Sequence, residues 1–472
     1  MWKRLLLINT NIWSNLITDN FNLPPLGLEY LVSYVRDLIK VEILDARNFR
    51  MSYQKIENYI KSYKPDIVGI NCNFTCGINA AFETARLVKE KYNPECPVIF
   101  GGWHPTLKPD ECLKNPWVDA IILGEGELTL RELIKKGSFE NVDGIFYKKE
   151  GKIVHNKERQ LIENLDDLKF PYRENRKFKK FQMFNIPVDT IETSRGCPHT
   201  CKFCCIHVFY RHRWRPRSPL NIIKELYEIR KNSNVRDILI VDDNFTVNMK
   251  RIEKLCKLII KSKLDFHFIC QTRLDSIAKN PKIVRLMAKA GFWLMFVGIE
   301  SITKKGLTDV NKKINVETIH KAIKILHENH IIIVGNVIIG ADLDETEEDI
   351  MKNVDNIKKL QVDFMSYSIL TPLPSTKIFE KLENENLIIN KNWADYNFKN
   401  AVIKTHQLTP KDLTRITRLV NINAALHRSN LNLFRKLSKS RGILFIIKNG
   451  INSALDIINI FLKAKLAKRQ TK

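Results

Sequence analysis

No stretch of the 472 residues runs to the ~18 uninterrupted apolar residues of a membrane-spanning helix, so no span is expected. The start, MWKRLLLINTNIWSN, is too short and too polar for a secretory signal, and RLLLINT within it reads as a buried strand. The expectation is a cytoplasmic protein, in which ten cysteines are thiols or metal ligands rather than disulfides. A G-x-G-x-x-G fingerprint is missing, so a dinucleotide is not indicated. The cysteines do not form two separated pairs, so a four-ligand structural zinc site lacks half its donors. Carboxylates are scarce in the tail: residues 401–472 hold two aspartates against 15 Lys and Arg, about half of the chain's net +25. Such a basic excess points to an anionic partner, whether nucleic acid, membrane surface or acidic substrate.

What is present falls into four parts. From residue 1 to 143, short apolar runs (RLLLINT, KVEILDA, DIVGINC, PVIFGG, AIILGEG) alternate with helical patterns. Near-continuous apolar strands separated by helices predict a doubly wound, Rossmann-like α/β domain with a parallel sheet. Ligands of such domains sit beyond the carboxyl ends of the strands. Those ends carry Asn71, Thr75, Gly101, Gly102, Gly124, Glu125 and Gly126. Residues 144–188 read as a hairpin around Glu150-Gly151 and a polar linker. Residues 189–386 resume the alternation with six strand-then-helix units, a partial TIM-type barrel whose chemistry belongs at the carboxyl ends of its strands. Residues 387–472 read as a mostly helical, basic region.

The first barrel strand leads into TSRGCPHTCKFCC, which spaces Cys197, Cys201 and Cys204 as C-x3-C-x2-C with Cys205 adjacent. Three thiolates on one loop can converge on one metal group, whereas a neighbour cannot join without turning the backbone back. A zinc site would need His199 or His207 as a fourth ligand, and a four-iron cluster takes four ligands. Three cysteines leave one iron open, which suits chemistry better than structure.

The array, with Phe203 just before its last cysteine, resembles that of radical S-adenosylmethionine (SAM) enzymes. The resemblance implies a [4Fe-4S] cluster on Cys197, Cys201 and Cys204, whose open iron chelates SAM, and reductive cleavage of SAM to a 5′-deoxyadenosyl radical. IVDDNFT, CQTRLD, FVGIES, VIIGADLDET and LTPLPST look like the segments that line the SAM pocket in that family. By that likeness Glu300 and Ser301 reach the ribose and methionine parts and Gly340 lets backbone approach the adenine. Phe203, Asp242, Gln271 and Arg273 line the same pocket. Ser375 in LPST stands where family members commonly carry glycine.

PPLGLEYL, PDIVGI, GGWHPT and VDAIILGEGELTLREL resemble the cobalamin (B12)-binding domain that precedes the barrel in one branch of the family. The resemblance implies cobalamin against the strand-end residues named above. Where related domains place a cobalt-ligating histidine, DARNFR has Arg47. The expected function is methylation of an unactivated carbon of a lipid, tetrapyrrole or natural product. The alternatives are radical ring or carbon–carbon bond formation without methyl transfer, and a zinc-bearing nucleic-acid-binding protein suggested by FYRHRWRPR (209–217). The expected partners are a small-molecule or lipid substrate and a reductant such as a flavodoxin or ferredoxin, with no nucleic acid.

From Gly442 onward, Ile443, Phe445, Ile447, Ile451, Leu455, Ile458 and Phe461 recur at roughly helical spacing, with Lys448, Lys463, Lys465, Lys468 and Arg469 supplying charge. Such a helix either lies in a membrane interface, each basic residue contributing roughly 1 kcal/mol near anionic headgroups, or packs on the barrel with its charged side in solvent. The interfacial reading predicts that the full chain floats with anionic liposomes at low salt and that a chain ending at Ser440 does not. Equal flotation of the two, or binding indifferent to lipid charge, supports the packed helix.

Overall fold

The computed structural model describes residues 2–10, 21–174, 176–178, 180–183 and 186–425, so the pattern beyond Gly442 lies outside the described residues. Two parallel sheets organise the chain. The first takes β1 (Arg4–Asn9), β2 (Lys40–Asp45), β3 (Ile67–Asn71), β4 (Val98–Gly101) and β5 (Ala120–Ile122) in the order β2-β1-β3-β4-β5, all parallel. The apolar runs form its strands because both faces are covered: Leu5 to Ile8 of β1 are all buried, split between cores on opposite sides. The order reverses at β1 and β3, and the crevice at such a switch point is the ligand site of open α/β sheets. A hairpin of β6 (Ile145–Lys149) and β7 (Lys152–His155) adds two antiparallel strands to the same sheet, turning at Glu150 and Gly151, both with positive φ.

The second sheet runs β16-β15-β14-β13-β12-β9-β8. Its parallel strands are β9 (Ile186–Ile191), β12 (Asp237–Ile240), β13 (His267–Thr272), β14 (Phe292–Glu300), β15 (Ile332–Ile339) and β16 (Phe364–Ile369). These are the six strands of the expected partial barrel, in chain order. The short β8 (Gln182–Met183) pairs antiparallel with β9 and ends the sheet. A separate ribbon of β10 (Ser194–Arg195) and β11 (Arg215–Pro216) brackets the cysteine loop. Local chemistry sets the helix starts: Ser218 caps Pro219–Asn232 with proline at its first position, and Thr346 with Asp349 forms a capping box on Glu347–Lys358. Beyond the barrel, helix Pro410–Ala425 packs on β16, where Asn421 bonds both ways with Tyr367 backbone. Among the described residues, no helix is long and apolar enough to cross a membrane.

The inward face of Pro219–Asn232 carries Ile222, Leu226 and Ile229 at helical spacing, and among them a carboxylate, Glu225, wholly buried. Arg173 from the linker reaches it at 2.5 Å and Arg217 holds its other oxygen. Removing one member of such a group strands like charges in a dry core, at a cost of about 3–5 kcal/mol. Glu225→Ala is therefore expected to destabilise the cluster-free chain by about that much in urea unfolding, against under ~1 kcal/mol for the exposed Glu228→Ala.

Candidate radical and cobalamin site

The chain leaves β9, pairs briefly as β10, and turns at Gly196 into the cysteines. Gly196 has φ +85, and a Cβ there would lie 2.1 Å from the Arg213 carbonyl oxygen, so glycine is required for the turn. Cys201 is buried and Cys197 and Cys204 partly so; all are free thiols. Nitrogen donors face two of the sulfurs: Asn244 Nδ2 at 4.0 Å from Cys197 Sγ, and Arg273 at 3.7 Å from Cys201 Sγ. Burial, then Asp243, keeps the Cys205 thiol protonated, pushed up to about 12; burial, then Cys205, raises Cys204 well above its ordinary value. Iron would displace such protons, since bound thiols are thiolates. Among the described residues, no three His, Cys, Asp or Glu side chains are placed to share a single metal ion. Three thiols on one loop with N–H donors near their sulfurs fit the ligand set of a cluster.

Asp242 accepts from Thr193 N–H and Oγ1 at 2.6 Å each and from Ser194 Oγ at 2.5 Å, so its carboxylate fixes the entry to the loop. Its neighbour Asp243, not singled out from the sequence, is nearer the cysteines: Gly196 N–H donates to it at 3.3 Å. Burial, then Asp242 and Glu192, pushes Asp243 up to about 7. Arg273 also donates to the Lys312 carbonyl at 2.7 Å and pairs with Asp275. Glu300 ends β14 at a register break with φ +61, and its carboxylate takes the Lys312 ammonium at 2.7 Å. Ser301 Oγ accepts from Thr303 N–H; Gln271 is exposed on β13; Phe203 packs on the barrel core. Gly340 directly follows β15 with φ +81, beside Thr405 and Leu413 of the following region. Ser375 has φ +60, a conformation that glycine adopts more readily than serine, and its Oγ donates to the Leu107 carbonyl of the first domain at 3.0 Å.

At the first sheet's carboxyl edge, Asn71 ends β3 and Thr75 opens the next turn. Gly102 has φ +105, and a Cβ would strike Asn73 Oδ1 at 2.6 Å and the Cys72 carbonyl at 2.8 Å. Gly101 and Gly124 have no neighbour within 4 Å of where a Cβ would stand, which leaves backbone open to a ligand; Gly126 instead packs against Leu31. This open glycine edge fits a corrinoid. Glu125 is differently engaged than expected of a cofactor contact. Arg195 reaches it at 2.8 Å, Arg215 at 2.9 Å on both oxygens, and Ile162 N–H at 2.8 Å. Burial raises its carboxyl, but the two guanidiniums prevail and hold it below the usual range. Arg47 lies over the Phe74 ring, and His104, held near 4 by burial and then Lys108, meets the edge of Trp393.

The two edges meet. Arg195, two residues before Cys197, pairs with Glu125 and Glu127 of the first domain as well as Glu192. Trp103, directly after Gly101-Gly102, packs against Ile206, Phe209 and Tyr210, the cluster on which Cys197 and Cys204 also pack. FYRHRWRPR is absorbed in the same joint: Arg215 and Arg217 are buried on Glu125 and Glu225, and Arg211 and Arg213 pair with Glu158 and Glu163. The buried guanidiniums of Arg215 and Arg217 are not free to meet phosphate. Cys197→Ala, Cys201→Ala and Cys204→Ala are each expected to lose nearly all of the about four irons of a reconstituted cluster, while Cys205→Ala keeps them, read by iron assay and electron paramagnetic resonance.

Residues 13–134 match the family model for the B12 binding domain, and residues 191–357 that of the radical SAM superfamily. An uncharacterised methyltransferase of Pyrococcus horikoshii is 31% identical over 439 residues, 92% of this chain and 94% of that protein. The anaerobic magnesium-protoporphyrin IX monomethyl ester cyclase of Rubrivivax gelatinosus is 30% identical over 414 residues, 85% of this chain and 73% of the cyclase. Among solved structures, the cobalamin-dependent SAM radical enzyme OxsB with aqua-cobalamin bound superposes with a TM-score of 0.72 at 22% identity, covering 96% of this chain and 71% of OxsB. With both domains matched in order and a relative aligned over nearly its whole length, the chain belongs to the radical SAM enzymes that carry a B12-binding domain ahead of the barrel.

Proposed function

We propose that this enzyme transfers a methyl group to an unactivated carbon of a small-molecule or lipid substrate. The observation that carries the reading is the meeting of the two carboxyl edges, where Trp103 of the first domain packs against the same Ile206, Phe209 and Tyr210 cluster as Cys197 and Cys204 of the second. When bound, the cluster with SAM supplies hydrogen-atom abstraction and cobalamin supplies the methyl group, the hard steps that cofactors rather than side chains perform. In this reading Cys197, Cys201 and Cys204 hold the cluster. Phe203, Gln271, Arg273, Glu300, Ser301 and Gly340 surround SAM, with Asp242 positioning the loop. Asn71, Thr75, Gly101, Gly102, Gly124 and Gly126 form the corrinoid edge, and Glu125 acts through Arg195. In this reading the joined edges keep water away from the reacting groups, where it would invite side reactions.

The P. horikoshii relative bears a methyltransferase name, whereas the R. gelatinosus relative is a cyclase. That second similarity favours a second reading: oxidative ring closure with no methyl transfer. Anaerobic incubation with SAM, a reductant and lipid or tetrapyrrole extracts distinguishes them by product mass. Methyl transfer predicts a gain of one CH2, and cyclisation a loss of hydrogens. With Arg47 on Phe74 and His104 against Trp393, bound cobalamin is expected in a base-off spectrum, without nitrogen superhyperfine structure in its cobalt(II) state. A nitrogen pattern there would overturn this expectation, showing that a histidine or the cobalamin's own base lies under the cobalt.

A further inference from the structure

The cysteine loop departs at Thr193 and returns at Arg217, and these two ends lie side by side. Arg217 N–H donates to the Thr193 carbonyl at 2.9 Å, and the β10–β11 ribbon continues the pairing. One side chain reaches both ends. Arg251, in the first turn of helix Met249–Ser262, donates from Nη2 to the Thr193 carbonyl at 2.6 Å and from Nε to the Arg217 carbonyl at 3.0 Å. Asp242, just beyond β12, holds the same Thr193 through its N–H and hydroxyl. The loop base therefore sits between a guanidinium from a helix and a carboxylate from a strand end.

The partners of Arg251 set it apart. Of the five buried arginines among the described residues, Arg195, Arg215, Arg217 and Arg273 each reach a carboxylate, whereas Arg251 ends on backbone carbonyls. Burying a charge in this way is costly, and burial brings its pKa below the ordinary value against the pull of Asp242. A side chain that only filled space here would be apolar, as Ile252, Leu255 and Ile259 on the same helix are. What the guanidinium provides is geometry: a planar fork meets two carbonyls at a fixed separation, which a single ammonium cannot do.

The tip of the loop has other anchors. Lys202 N–H donates to the Val310 carbonyl at 3.1 Å, and Asn311 Nδ2 to the Thr200 carbonyl at 2.8 Å. Cys197 follows closely on Thr193, so a shift of the base displaces it directly, while Cys201 and Cys204 flank the anchored tip. We infer that Arg251 is a positioning residue for the proposed cluster, its fork locking the two ends of the cysteine loop together and so setting Cys197 relative to Cys201 and Cys204. It acts through Thr193 and Arg217 and touches no reacting group. The inference rests on the reading of the three cysteines as cluster ligands.

The test compares the full chain with R251M, R251K and, at an exposed position of the same helix, K254M. Hydrogen exchange of the iron-free proteins reads base and tip separately. Loss of a charge-assisted hydrogen bond predicts about tenfold faster exchange of the Thr193 and Arg217 amides in R251M, with the Lys202 amide and the rest of the helix unaltered. R251K keeps the charge and a donor, so it is expected to fall between R251M and the unaltered chain, which K254M should match. Where R251M does not fold, R251K carries the same comparison of base with tip. Reconstituted R251M is expected to keep about four irons, with a paramagnetic resonance broadened in the presence of SAM and narrowed again in R251K. Unchanged exchange at the base overturns the proposal. Acceleration spread equally over base, tip and helix overturns it as well, since that marks a general role in the fold, and so does a resonance in R251M identical to that of the unaltered chain. Failure of the unaltered chain to take up iron refutes the cluster reading instead, and the exchange data then decide alone whether Arg251 locks the loop.

Discussion

Everything in the joint depends on keeping the Arg195 guanidinium buried and charged. Moving an ion out of water costs several kcal/mol even after relaxation, and a single partner seldom offsets it. Arg195 has three: Glu125, Glu127 and Glu192. Two of those carboxylates belong to the first domain and one to the barrel, so the guanidinium is satisfied when the domains are docked. Arg176 repeats the arrangement farther back, pairing at 2.6 Å with Glu29 of the first domain and at 2.8 Å with Asp189 on β9. Geometry of this kind specifies orientation more than it adds stability. A hydrophobic joint could slide, whereas a bidentate fork cannot.

The specified orientation has a chemical use. On the proposed reading, a radical formed on one side and a methyl donor on the other must approach one substrate atom without solvent between them, and small misplacements are expensive in rate. Rigid sheet ends and short loops provide that precision better than long loops would. The charge of the chain reads differently in this light. The internal guanidiniums of Arg173, Arg176, Arg195, Arg215 and Arg217 are matched by buried carboxylates, so they contribute nothing to the basic excess, which lies elsewhere on the chain.

The strands and the cysteine loop were legible in the sequence because each is written locally. Apolar runs of β length alternate with helical periodicity, and three cysteines at fixed spacing can scarcely serve anything but a metal group. Glu125 was not legible in the same way. A glutamate between glycines at a strand end looks like a ligand contact, and its true partners lie 70 and 90 residues away. Asp243 was missed for a related reason: of two adjacent aspartates, the sequence does not say which one is spent on Thr193 and Ser194. Arg215 and Arg217 likewise looked like a nucleic-acid surface until their buried carboxylates were visible. Long-range pairing of charges has no periodicity to read, so it appears with the fold.

Order of synthesis gives the Arg195 joint a temporal meaning. A chain made from its N-terminus exposes Glu125 and Glu127 well before Arg195, which lies 70 residues beyond Glu125. At roughly 5–20 residues per second, that interval is about 4–14 s. During it the first domain can fold around its own cores while two carboxylates at its edge remain hydrated. Arg195 can then begin to withdraw both from water, with Arg215 completing the pairing of Glu125 later. The barrel strands from β12 to β16 are made only after the cysteine loop, so the barrel assembles against a neighbour that is already complete.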